Sequence, residues 1–202
     1  MALGFDTETK SAGDILPIVK YDAKGGDFIA VNRTQSDDGQ WVKDEQEIAL
    51  PINLGMDLEN IEVGWMAFIG GRPDFVMAKI GEPMPAKPSD EHKQAFRLRV
   101  GSKDLGLREF SHSAKTVLRA MDELHSSYLA EKAANPGKFP IVNFEGVETI
   151  KMQGKEGELR FKAPNWKIEG WTDRPDMFDA GTAPAATPEP VAEVASDDNP
   201  LF

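Results

Sequence analysis

The chain has no cysteine and only three histidines. Without a thiol, disulfides, thiolate metal sites and cysteine catalysis are excluded. His92, His112 and His125 share no ligand spacing, so each is expected on a surface or a helix face. No apolar run approaches the length of a membrane span. Met1-Ala2-Leu3-Gly4-Phe5-Asp6 has neither the basic start nor the apolar stretch of a secretory signal. A soluble intracellular protein with no membrane partner is expected. The short signatures of common enzymes are missing as well: no Gly-x-x-x-x-Gly-Lys-Ser/Thr phosphate loop, Gly-x-Ser-x-Gly elbow, His-Glu-x-x-His pair or dinucleotide fingerprint. Gly25-Gly26 and Gly70-Gly71 read as tight turns, and Asp37-Asp38 beside Gly39 as a solvated one. Neither catalysis nor a cofactor is expected.

Positive charge is scarce too. Lysine and arginine number 23 against 34 acidic residues, for a net charge of -11. From Asp179 onward there is no base, and five of the acids (Asp179, Glu189, Glu193, Asp197 and Asp198) lie there, which leaves -6 on the rest. A protein that coats nucleic acid through bulk positive charge is thereby disfavoured, and any such site must be a local basic groove helped by stacking. Residues 180–190 are small residues and repeated prolines, with too little apolar surface to offset the entropy of ordering them. One domain over residues 1–178 and a flexible acidic tail over 179–202 are expected.

The body reads as strands separated by turn chemistry. Residues 15–21 and 28–31 flank the Gly25-Gly26 turn, and 40–50 read as a polar edge strand or a strand with an irregular middle. Residues 62–69 and 75–80 make a hairpin around Gly70-Gly71-Arg72-Pro73-Asp74, and three prolines within 81–88 make a surface loop. Residues 93–100 alternate, with Phe96, Leu98 and Val100 on one face and Lys93, Arg97 and Arg99 on the other. The spacing of Val117, Leu118, Met121, Leu124, Tyr128 and Leu129 predicts a helix over 113–134. It would be capped by Ser111 or Ser113 and ended by Asn135-Pro136-Gly137. Residues 139–152, 158–162 and 165–171 are strand-like. A mainly β fold with one packed α-helix follows, best satisfied by an OB-fold-like antiparallel barrel with extra strands and the tail appended.

On such a sheet the available chemistry is stacking plus phosphate contact. Arg97 and Arg99 supply cations on one strand face, and Lys79 shares a face with Phe75 and Met77. Trp41 alternates with Lys43, and Trp166 precedes Lys167. Trp65 and Phe68 lie in a strand apolar on both faces, so at least one of the two rings is expected in the core. The candidate DNA-binding set is Trp41, Lys43, Trp65, Phe75, Lys79, Arg97, Arg99 and Trp166.

The chain ends Asp197-Asp198-Asn199-Pro200-Leu201-Phe202. Two carboxylates, a proline and a terminal hydrophobe on an acidic tether suit a basic-rimmed hydrophobic pocket on another protein. This tip, on a cysteine-free β-rich body with one helix, resembles bacterial and bacteriophage single-stranded DNA-binding proteins, whose tails end in Asp-Asp-x-Pro-Phe. Asp197, Asp198 and Pro200 match that order, Leu201 is an insertion, and Phe202 supplies the last ring. The resemblance implies an OB barrel that binds and protects single-stranded DNA in the cytoplasm of a bacterium or phage-infected host during replication, recombination or repair. It also implies a tip (Asp197, Asp198, Pro200, Leu201, Phe202) that recruits replication or recombination enzymes, and a tail that competes for the protein's own DNA groove. Assembly into a homo-oligomer is compatible with the sequence. Two alternatives remain: a phage structural or assembly protein whose acidic tail binds a protein partner, and a metal-dependent nuclease with converging carboxylates.

Overall fold

The computed structural model of the chain describes residues 16–35, 41–154 and 157–179. The tip at 197–202 and the Asp37-Asp38 turn lie outside the described residues. The strands are β1 (Ile18–Tyr21), β2 (Phe28–Gln35), β3 (Trp41–Glu47), β4 (Ile52–Met56), β5 (Glu62–Ile69), β6 (Arg72–Lys79), β7 (Lys93–Ser102) and β8 (Gly106–His112). After them come the helix α1 (Lys115–Lys132), the paired strands β9 (Phe139–Gly154) and β10 (Gly157–Thr172), and a 3-10 turn at Asp176–Phe178.

One ten-stranded sheet runs in the order β10-β9-β4-β7-β8-β1-β2-β3, with β5 pairing β7 and β6 pairing β5. The stretch β10-β9-β4-β7-β8 has the neighbour order of the fifth, fourth, first, second and third strands of an OB barrel. The helix falls between the third and fourth of these strands, where such barrels carry theirs. The β5–β6 hairpin is an excursion between β4 and β7, and β1 to β3 extend the sheet past β8. Because β1 enters parallel to β8, the sheet is mixed, and by its ladders it stays open. The gap beyond β10 is spanned instead by the β1–β2 turn: Lys162 donates its amide to the Ala23 carbonyl at 2.8 Å, and the Tyr21 hydroxyl donates to the Lys162 carbonyl at 2.9 Å.

Inward-facing residues of the curled sheet meet the helix in one core. Phe28, Phe110 and Phe144 interlock as tilted and edge-on rings, and Leu54, Met56, Val100, Val117 and Val142 fill around them. Burying each such side chain stabilises by about 1.5–3 kcal/mol. The alternation on β7 is as expected, with Phe96, Leu98 and Val100 buried.

Helix α1 presents Val117, Met121, Leu124 and Tyr128 to the core, and Tyr128 stacks on Trp171 of β10. Its start differs from expectation. Neither Ser111 nor Ser113 caps it; Ala114 is the N-cap without a side-chain bond, and Ser111 belongs to β8. Leu129, expected in the apolar stripe, is 58 % exposed because it falls one position past Tyr128 on the turning helix.

Two strands escape the sequence pattern. β4 is five residues behind Pro51 with a glycine inside, and β8 follows a tight Gly106 turn and reads as polar. Conversely, 158–162 and 165–171 are one strand that runs through Pro164, with irregularities absorbed between Asn165 and Trp166 and between Ile168 and Gly170.

Candidate nucleic-acid interface

The β5–β6 hairpin, joined to the sheet through the β5–β7 ladder, closes tightly because Gly64 permits it. A Cβ at Gly64 would stand 2.2 Å from the Val76 carbonyl oxygen and 2.9 Å from the Met77 Cα, so only a residue without one allows β6 to approach so closely. Gly70 and Gly71, at φ 59° and 77°, supply the positive φ of the hairpin turn.

Alternation and register then place Glu62, Gly64, Met66 and Phe68 of β5 on one face, with Lys79, Met77 and Phe75 opposite them on β6 and Arg97, Ala95 and Lys93 on β7. This face points away from the core residues Phe96 and Leu98. Phe68 is 69 % exposed, and Lys79 and Lys93 are exposed as well. The Arg97 guanidinium lies 5.2 Å from the centroid of the half-buried Phe75 ring, a cation–π contact. Arg99 follows on the same strand face and donates to the Phe178 carbonyl at 3.1 Å, which brings the last described turn against the site. That turn is clasped by Arg174, which binds the buried Asp57 carboxylate with two nitrogens at 3.0 and 2.8 Å and packs over Phe139 and Phe178.

Part of the charge on this face is matched internally. Arg97 donates to Glu62 at 2.7 Å and lies 4.0 Å from Glu109. Burial works against the Arg97 charge, but those two carboxylates hold it firmly protonated. Glu109 is pushed above the ordinary carboxylate range by burial and, less, by Glu62, with Arg97 and Arg99 acting in the opposite direction. With Lys79, Lys93, Arg97 and Arg99 against Glu62 and Glu109 the face carries a small positive excess, and Phe75 and Phe68 share it.

Of the expected site residues, Phe75, Lys79, Arg97 and Arg99 come together here. Trp65 points to the opposite face of β5, where its indole N–H donates to the Pro85 carbonyl at 2.7 Å. There it helps hold the proline-rich loop. His92 secures the same loop, with Nδ1 against the Ser89 hydroxyl at 2.8 Å and Nε2 against Asp74 at 3.2 Å. His92 is 3 % exposed, not a surface residue as expected, because it is the peg of that loop. Trp166 faces inward, edge-on to Phe110 and Phe144 at 5.9 and 5.7 Å. Lys43 sits on β3, four strands from β7, and pairs with Glu45. Glu45 is held down to about 2 by hydrogen bonds from Lys20 and Lys43. Trp41 opens β3 opposite Gln35, and its side chain lies outside the described set. Phe68 was missed: its strand is apolar on both faces, and the only signal of exposure was its place two residues before the Gly70-Gly71 turn.

Comparison with protein-family models, curated sequences and solved structures finds no match to this chain. Among the described residues, no helix is long and apolar enough to cross a membrane.

Proposed function

We propose that this chain binds single-stranded DNA across the β5–β6–β7 face without catalysis, and that its C-terminal tip carries it to enzymes of replication, recombination or repair. What carries this reading is the shared face of Phe68, Phe75 and Arg97, with Lys79 and Lys93 alongside. An exposed ring and a ring under a guanidinium offer stacking surfaces for successive bases, each worth about 1–3 kcal/mol and indifferent to sequence. Lysines at the rim supply phosphate contacts. Their place fits as well, since OB folds bind oligonucleotides on the second and third barrel strands and the adjoining first loop. Those correspond to β7, β8 and the β5–β6 excursion.

A small positive excess predicts modest affinity and a shallow salt dependence, because few cations are there to displace counterions from the phosphates. Tryptophan quenching is a poor reporter, since Trp65 and Trp166 point elsewhere; fluorescence anisotropy of a labelled oligothymidine is the suitable measurement. Saturable binding that weakens with salt and is lost on Phe68→Ala with Phe75→Ala supports the proposal, and no binding at low salt refutes it.

The pairing of Arg97 with Glu62 and Glu109 favours one rival, an assembly protein whose acidic tail binds a basic partner and whose body meets no DNA. Such a protein would give no anisotropy change with any oligonucleotide while still capturing its partner.

A further inference from the structure

Beyond the body of the sheet, β9 and β10 continue as a two-stranded arm with two unlike faces. Register sets Ile150 opposite Phe161 and Met152 opposite Leu159 on one face, and Thr149 opposite Lys162, Lys151 opposite Arg160 and Gln153 opposite Glu158 on the other. Ile150 and Phe161 are half-buried, and Leu159 is 51 % exposed. Isolated two-stranded ribbons are marginal in water, and an apolar face on one calls for a cover.

The outer edge of β10 is a second, independent observation. Among the described strands, β10 pairs only with β9. The Lys162 amide and carbonyl both point away from β9, since they bond Ala23 and Tyr21. In an antiparallel ladder each residue turns its N–H and C=O to the same side and successive residues alternate, so the polar backbone groups of Arg160 and Glu158 also point outward. The other ladder end, β3, carries Lys43, Asp44, Glu45 and Glu47, the charged residues that protect an edge from pairing. The Glu158-Leu159-Arg160 edge instead reads as its own complement.

We propose that this edge pairs with the same edge of a second copy, antiparallel about a two-fold axis at Leu159, so that the chain is a dimer. In that register Glu158 lies opposite Arg160 of the second copy and Arg160 opposite its Glu158. The outward N–H and C=O groups of both residues then exchange hydrogen bonds across the axis. Leu159 meets its own counterpart at the non-hydrogen-bonded position, where side chains approach most closely. The apolar faces of the two arms become one, with Phe161 and Ile150 flanking the leucine pair. The intrachain pairing of Arg160 with Glu158 at 2.9 Å gives way to the same pairing between copies, and the bonds of Lys162 to Ala23 and Tyr21 are undisturbed. Sliding the axis to Arg160 would set two arginines face to face, so charge selects the register.

The test is the solution mass of the full chain by light scattering and sedimentation, without nucleic acid. Wild type should have twice the chain mass. Arg160→Glu sets carboxylates against each other and should halve that mass, as should Glu158→Arg. The double exchange E158R/R160E should recover the dimer, and an equimolar mixture of the two single variants should form a heterodimer. Recovery in the mixture also shows that each single variant is folded. A monomeric wild type overturns the proposal. So does a dimer indifferent to all three variants, or single variants that fail to rescue one another. Because no oligonucleotide is present, the result is independent of the DNA-binding proposal.

Discussion

Phe68 keeps 69 % of its surface in solvent although it stands in the most apolar stretch of the body, while its neighbour Met66 on the same face is buried. Phe68→Ala should therefore change stability by no more than about 0.5 kcal/mol. It should nevertheless weaken oligothymidine binding by about 1–3 kcal/mol, read by thermal melting and anisotropy on the same preparation. Glu62→Gln is expected to act in the opposite direction: it releases Arg97 from its 2.7 Å partner, so affinity should rise and the salt slope steepen. His112 makes a different prediction. Its pKa is lowered, first by burial, and the neutral ring is the form that fits: Nε2 donates to the Tyr21 carbonyl while Nδ1 accepts the Ala114 amide. Because the folded value lies below the unfolded one of about 6.5, the unfolded chain takes up the proton first as pH falls. The His112 contribution is complete above that pH and is lost as pH falls through the folded value. His112→Gln should flatten this part of the melting temperature's pH dependence; an unchanged slope would show that other groups govern it.

At the scale of elements, the β5–β6 hairpin depends on Gly64 and the final turn on Arg174. Gly64→Ala forces β6 off β5, and the face that joins Phe75 to Arg97 should come apart, with loss of binding and of local amide protection in hydrogen exchange. Arg174→Ala leaves the buried Asp57 carboxylate without its cation and should destabilise by about 3–5 kcal/mol in denaturant titration. Neither clasp nor close approach was legible in the sequence, because each joins residues far apart in the chain: Arg174 reaches Asp57, and Gly64 serves β6. What was legible is local. The alternation of 93–100, the helix stripe through Tyr128 and the Gly70-Gly71 hairpin follow from side-chain period and turn chemistry. β4 and β8 were missed because short strands interrupted or preceded by glycine carry too little pattern. Trp65 and Trp166 point elsewhere for different reasons: the Trp65 strand is apolar on both faces and marks neither as exposed, and for Trp166 an aromatic beside Lys167 marks an amphipathic strand without saying which of its faces the sheet will cover.

For the whole molecule, an acidic chain whose proposed binding face has only a small positive excess, with an acidic tail beside it, should make affinity depend on stacking more than on bulk charge. Ending the chain after Asp179 keeps the Arg174 clasp and removes no side chain with positive charge, so affinity for oligothymidine should hold or rise while capture of partner enzymes should be lost. Loss of DNA binding in that truncation would refute the separation of the two tasks. The most direct test of the central claim is the anisotropy of labelled oligothymidine titrated with the intact protein at several salt concentrations. The expected result is saturable binding that weakens modestly with salt and largely disappears when Phe68 and Phe75 are both alanine. No binding at low salt, or binding unaffected by losing the two rings, would contradict it.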